Sequence, residues 1–393
     1  MDGLGRIGPA GPIVSPRSTA LIALALALAA PACTDPGAAT DATSAATTGA
    51  TAVEATADEP AGSPAPTAGS DVGAFELSAD PELTAAAVAL RGGADGALLL
   101  SVTRPDRTVV YGTDGLAGGD PLLPDTPIRV GSVTKTFVAV KTLQLVEEGA
   151  FTLDDEVAGL IGRVNVPGGI TVRHLLGQAS GLPSFIELVP DLVSDPARVW
   201  TPEEILMPAL AAPANFSPGD RFEYSDTNFI LLGVLVEEAT GQELAETLED
   251  TIIDPLGLEH TFLGRPGDEG STVPASGQGE APYTAIVSAA WATGGLVSDA
   301  VDLHVFMSAL FGGALIGSES LDAMTSGVVD GYGLGIYDMG DGRYGHGGGL
   351  PGYRVQMTYD TSSGATAFAA TNNGDEVDFS TAETDLYALA RRG

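Results

Sequence analysis

Ser132-Val133-Thr134-Lys135-Thr136-Phe137-Val138-Ala139-Val140 is the stretch on which the fold turns. Val133, Phe137 and Val140 recur at helical spacing, and Val138 and Leu145 widen the apolar stripe, so a helix is predicted from Ser132 to about Glu148, buried on most sides. Gly149 follows as its stop signal. The chain contains only two lysines, Lys135 and Lys141, which makes this its one Ser-x-x-Lys. Residues i and i+3 project from one helix face about a turn apart, so the amine can reach the hydroxyl. The helix N-terminus favours developing negative charge, and burial lowers a lysine pKa until it can accept the serine proton. A plain alternative is a helix-capping serine beside a surface lysine.

Around this helix the pattern is mixed. Strands are expected near 96–103 and 107–111. Helices follow near 171–177, 202–211, 226–240, 243–251 and 299–311, and strands return at 332–338, 353–359 and 365–371. Strands at both ends with helices between predict an α/β (α+β) architecture: one sheet built from distant parts of the chain, carrying a helical insertion. Trp200, Trp291, Phe306 and Met307 read as core. No Gly-x-Ser-x-Gly occurs, and the four histidines are too scattered for a helical zinc motif. No metal or cofactor is expected.

Two further segments accompany the Ser-x-x-Lys: Tyr224-Ser225-Asp226, and His346-Gly347-Gly348 in a glycine cluster between two strand-like runs. In this order they resemble the three motifs of the serine β-lactamase and penicillin-binding protein superfamily. The likeness is nearest to class C β-lactamases and their D-alanyl-D-alanine carboxypeptidase and esterase relatives. Supporting segments are Ile170 to Pro183, Tyr224 to Gly233 and Gly294 to Asp299.

The resemblance implies an antiparallel sheet flanked by helices, with Ser132 as acylating nucleophile and Lys135 and Tyr224 sharing the proton transfers. For Tyr224 to act as a base, its phenol would need positive charge nearby, which Lys135 could supply. The backbone N–H groups of Ser132 and Gly349 would form the oxyanion hole. Asp226, His346 and Gly348 would contact substrate. Two departures bear on which substrate. Asp226 stands where the family has asparagine, replacing a donor by a carboxylate. His346-Gly347 stands where it often has Lys-Thr, weakening recognition of a substrate carboxylate, although a protonated His346 could bind an anion. The implied activity is acyl-enzyme hydrolysis of the carboxypeptidase or β-lactamase type; small-ester hydrolysis and a catalytically weak binding module are the alternatives.

The remainder sets address and partners. Arg6 and Arg17 precede the apolar run Ala20 to Ala30, and Pro31-Ala32-Cys33 ends it, in the order of an export signal over 1–33. Cys33, the only cysteine, sits where a bacterial lipobox cysteine becomes lipidated, which would tether the chain to a membrane; ordinary cleavage after Ala32 is the alternative. Residues 34–75, rich in Ala, Thr, Ser, Pro and Gly, are expected to be a disordered linker to a hydrolase domain at 76–393. Lys+Arg 17 against Asp+Glu 52 gives a net charge of −35, which argues against nucleic acid and leaves a small-molecule or peptide substrate. Oligomeric state is not legible.

Overall fold

The structure is a computed structural model that describes residues 75–377, apart from 105–106, 190–191, 193, 269–270, 277–282 and 328. The export signal, Cys33 and nearly all of the predicted linker lie outside the described residues. Among the described residues, no helix is long and apolar enough to cross a membrane.

Two strands from the start of the domain, β2 (Ala97–Thr103) and β3 (Thr108–Gly115), join three from its end, β8 (Arg343–Leu350), β9 (Tyr353–Asp360) and β10 (Ala365–Thr371). With β1 (Glu76–Ala79) and β7 (Tyr337–Gly340) they form a seven-stranded sheet in the order β1-β3-β2-β10-β9-β8-β7. The ends of the domain meet where β10 lies antiparallel to β2, with Ala369 opposite Leu100. Every pairing in this sheet is antiparallel except β1 with β3.

Both faces of the sheet are covered, which is why β2 is buried at every position and reads as mostly apolar. On one face Leu98, Leu100 and Val102 pack with Leu83 and Ala87 of α1 (Pro81–Arg91). On the other, Leu99, Val355, Met357 and Phe368 join the main core. The sequence reading missed α1, although Asp80 caps it by accepting from the Glu82 and Leu83 amides, Pro81 begins it and Gly92 ends it left-handed.

The main core is built around α2 (Thr134–Glu147), as its apolar spacing predicts: Phe137, Val138 and Val140 are fully buried, and Phe137 stacks on Phe306 with ring centroids 3.7 Å apart. The predicted insertion lies between β4 (Ile128–Arg129) and β5 (Phe262–Leu263). It includes α3 (Pro202–Ala211) and α4 (Asp226–Thr240), the latter buried without interruption from Asp226 to Val236. Then come α5 (Thr284–Gly294), β6 (Leu296–Ser298), α6 (Ala300–Phe311) and α7 (Ser318–Thr325). A small second sheet, β4-β6-β5, ties the strand preceding Ser132 to the segment after α5.

Three expectations change. The run 332–338 is strand only from Tyr337 onward. The helix predicted over 243–251 is broken by a π-helical turn at Glu249–Ile253. The glycine cluster placed between two strand-like runs is itself strand: Gly345 to Gly349 lie inside β8, paired along their length with β9. Glycine is a poor strand former, and it is tolerated here because the strand is pressed against another backbone.

Candidate active site

Ser132 lies in a 3-10 turn, Gly131–Val133, rather than in the first turn of the α-helix; α2 begins two residues later. Gly131 adopts φ +51, and a Cβ there would come within 2.7 Å of the Gly349 nitrogen. A Cβ on Gly348 would sit 1.9 Å from the Val130 carbonyl oxygen. Only a pair of glycines lets β8 lie this close to the turn that bears the serine. Thr134 locks the turn, its Oγ1 donating to Gly131 O at 2.7 Å and accepting from the Leu296 amide at 3.0 Å.

β7 pairs with β8 only as far as Gly345, so the edge from His346 to Leu350 faces the serine turn instead of a strand. The Gly347 carbonyl accepts from His346 Nδ1 at 2.5 Å. The Gly349 amide lies on this edge next to the turn carrying Ser132, its nitrogen 2.7 Å from where a Gly131 Cβ would stand.

Lys135 is fully buried, and its Nζ donates to Ser132 Oγ at 3.0 Å, Asp226 Oδ1 at 2.7 Å and the Thr293 carbonyl at 2.7 Å. Thr293 Oγ1 donates to the same Asp226 oxygen at 2.7 Å. Burial pulls the Lys135 amine below its ordinary pKa, and the Asp226 carboxylate offsets part of that effect. Asp226 opens α4, where the helix dipole favours its negative charge.

Tyr224 is held by Gln178, whose Oε1 accepts from the Ser225 amide at 3.0 Å and from Asn228 Nδ2 at 2.5 Å. The Tyr224 hydroxyl is buried, and the Ser132 hydroxyl is the group that interacts with it. Its ring centroid lies 5.0 Å from Lys135 Nζ. Burial pushes the phenol well above its usual pKa. The Asp226, Tyr332 and Tyr337 side chains push it further, and the Ser132 hydroxyl offsets part. This corrects the expectation that Lys135 would turn Tyr224 into a base: the ammonium charge is taken up by Asp226, and Tyr224 rests protonated.

His346 is fully buried. Burial and the Lys135 charge lower its pKa to about 3, so the ring is neutral and does not bind anions by protonation, a second correction. With Nδ1–H donating to Gly347, Nε2 is left to accept from the Tyr332 hydroxyl at 3.3 Å. Tyr224, Tyr332 and Tyr337 surround the ring.

Thus Ser132, Lys135, Tyr224, Asp226, His346, Gly348 and Gly349 converge at one place, and Cys33 lies outside the described residues. The sequence reading missed Thr293, Tyr332 and Gln178. Thr293 follows a break in α5 at Trp291, where φ 29 and ψ −117 turn the chain so that the Thr293 carbonyl reaches Lys135. The adjacent Gly294-Gly295 pair was the available signal of irregular backbone. Chemically, the cluster offers a hydroxyl hydrogen-bonded to an amine of lowered pKa, a phenol with a proton to donate, and a strand edge beside them.

Comparison with known proteins agrees with this geometry. The family model described as Beta-lactamase matches residues 82–392. A D-stereospecific amidohydrolase from Streptomyces sp. is 31% identical with a TM-score of 0.65, the match covering 75% of this chain and 94% of that one. The D-amino acid amidase of Ochrobactrum anthropi SV3 shares the fold at TM-score 0.69 and 24% identity, over 79% of this chain and 99% of its own. A Bacillus subtilis (strain 168) sequence named as penicillin-binding protein PbpX is 25% identical over 273 residues, 68% of this chain and 67% of that protein. Protein flp of Staphylococcus aureus (strain COL) is 30% identical over 143 residues, 35% of this chain and only 28% of its own length. The matched residues take in most of the chain and the whole Ser132 cluster: this chain belongs to the Beta-lactamase family, within the serine β-lactamase and penicillin-binding protein superfamily of hydrolases.

Proposed function

We propose that this protein opens amide bonds of D-configured amino-acid derivatives through an acyl-enzyme on Ser132. The observation that carries the reading is the buried Ser132–Lys135–Tyr224 cluster beside the free edge of β8, in a chain 31% identical to a D-stereospecific amidohydrolase. Once Lys135, whose pKa burial lowers, has given up a proton to solvent, Ser132 Oγ attacks the substrate carbonyl and the serine proton passes to the freed amine. The oxyanion is held by the Ser132 and Gly349 amides, a contribution of roughly 3–4 kcal/mol per donor in comparable sites. The C–N bond breaks as the leaving nitrogen takes a proton from Tyr224, which is replenished from Lys135. Water then hydrolyses the acyl-serine by the reverse transfers.

Peptide-type carboxypeptidase action fits less well, because a C-terminal carboxylate needs a cation or hydroxyl that neutral His346 and Gly347 do not supply. That same feature favours ester hydrolysis as the second reading, since small esters carry no such carboxylate. Small-molecule or short-peptide substrate, export and a Cys33 tether are part of the proposal.

The test is ammonia release from D- and L-phenylalanine amide, with fluorophosphonate labelling of the full chain and of Ser132→Ala. Turnover of the D-amide and labelling that disappears in the variant are expected. Labelling without amide turnover, together with cleavage of nitrophenyl acetate, would select the esterase reading. No labelling would overturn both and favour a binding module.

A further inference from the structure

Asp226 uses Oδ1 for both of its donors, Lys135 and Thr293, and Oδ2 has no partner among the described residues. The carboxylate is not sealed: 4% of its side chain stays open while Lys135 is closed, and Oδ2 is not among the enclosed unpaired oxygens. Both Ser132 Oγ and Asp226 Oδ1 touch the same ammonium, at 3.0 and 2.7 Å, so the carboxylate lies within about 6 Å of the nucleophile. The α-nitrogen of an acyl substrate is two bonds from the carbonyl oxygen's carbon neighbour, within that range once the carbonyl is seated.

We propose that Asp226 selects substrates with a free α-ammonium beside the scissile carbonyl, namely unblocked D-amino acid amides and D-residues at a peptide N-terminus, over N-acylated ones. The inference rests on the amidase reading and specifies its substrate class. At Oδ2 an N-acylated α-nitrogen offers one neutral N–H and brings an acyl oxygen that an accept-only carboxylate cannot serve, whereas an ammonium donates with charge assistance. Charge balance points the same way. When Lys135 gives up its proton to become the base, Asp226 is left as an uncompensated buried anion, a costly state. A substrate ammonium at Oδ2 restores the neutral pair and, as a like charge to Lys135, favours release of the lysine proton to bulk water. The other groups facing this carboxylate cannot do so: Tyr224 and Tyr332 rest protonated and His346 is neutral. The net charge of −35 also favours approach of cationic over anionic substrates.

The test compares kcat/KM of the full chain for the p-nitroanilides of D-alanine, N-acetyl-D-alanine and D-lactic acid, the last replacing the ammonium by a hydroxyl of similar size. The D-alanine compound should exceed both by about a hundredfold, and in Asp226→Asn the preference should shrink to about threefold or less. Equal rates for the D-alanine and D-lactic compounds, or a preference that survives in Asp226→Asn, overturns the inference and leaves the amidase reading intact. If Asp226→Asn does not fold, the comparison of the D-alanine and D-lactic compounds on the unaltered protein decides alone. Cleavage of none of the three overturns the amidase reading and this inference with it.

Discussion

Gly348→Ala tests the link between close backbone approach and catalysis without touching a titrating group. Gly348 lies in the extended backbone of β8 and needs no positive φ, so any effect of alanine is steric. The new Cβ would meet Val130 O at 1.9 Å, Val130 C at 2.9 Å and Val355 Cγ2 at 3.0 Å. The first contact is with backbone and cannot be relieved by a rotamer. Restoring an ordinary separation needs β8 and the Ser132 turn to part by about 1 Å, a displacement able to cost about a hundredfold in a positioned reaction. The Gly349 amide moves with the strand, and losing one oxyanion donor costs about a hundredfold to a thousandfold. Overpacking should destabilise the fold by only about 1–3 kcal/mol. The expected result is a folded protein whose second-order rate of fluorophosphonate labelling falls by about a hundredfold or more. Gly162→Ala, where a Cβ meets nothing within 4 Å, serves as control and should label normally. A folded Gly348→Ala that labels within about threefold of the unaltered chain would refute the reasoning.

Other outcomes follow from the same contacts. Lys135→Ala should slow acylation by at least about a hundredfold, and unchanged labelling kinetics would remove the lysine from the proton path. Tyr332→Phe removes the hydroxyl that donates to His346 Nε2; kcat should fall by up to about tenfold with KM little altered, and steady-state kinetics showing a KM effect alone would contradict a positioning role. Asp299, buried and hydrogen-bonded to His260 Nδ1 at 2.5 Å, has its carboxyl pushed from 3.8 up to about 6 by burial and by Asp302. A carboxyl that ionises more readily in the unfolded chain contributes stability at low pH that is lost as pH rises through about 6; His260, also raised, acts in the same sense at higher pH. Thermal melts of the unaltered chain and Asp299→Asn across this range should therefore diverge in the variant's favour as pH rises, and parallel curves would show that Asp299 carries no such linkage.

What could be read from the sequence was what is local or strictly ordered. The i, i+3 spacing of Ser132 and Lys135 requires only one turn of helix, and the 3-10 conformation of that turn still brings amine to hydroxyl. The full burial of β2, and of α2 from Thr134 to Leu143, follows from their mostly apolar patterns. The glycines of β8 fell between the strand-like runs because strand propensity describes side chains packing on a pleat, whereas these positions are set by a neighbouring backbone that excludes side chains; their bareness pointed only to a strand edge open to close approach. Thr293 was hidden for a different reason: it reaches Lys135 through an unfavourable backbone conformation at Trp291, which tertiary packing imposes and no propensity encodes. Tyr332 lies in the run read as strand, but the strand begins only at Tyr337, so strand alternation could not place its hydroxyl against His346.

The placement of protons is where the sequence and the coordinates meet least directly. Tyr224 and Lys135 were both candidate bases, and spacing alone does not choose between them. Burial acts on the two in opposite senses, because it disfavours the charged form of each: the lysine is moved toward its neutral, accepting form and the tyrosine toward its neutral, donating form. The pair is thereby divided into an acceptor for the serine proton and a donor for the leaving group before any substrate arrives. Asp226 works against the first half of that division by holding charge on Lys135, and an asparagine in its place would not. A carboxylate at this position is therefore consistent with rapid turnover only if something positive joins it when substrate binds, which is why the charge on the substrate, more than its shape, is the variable to change first.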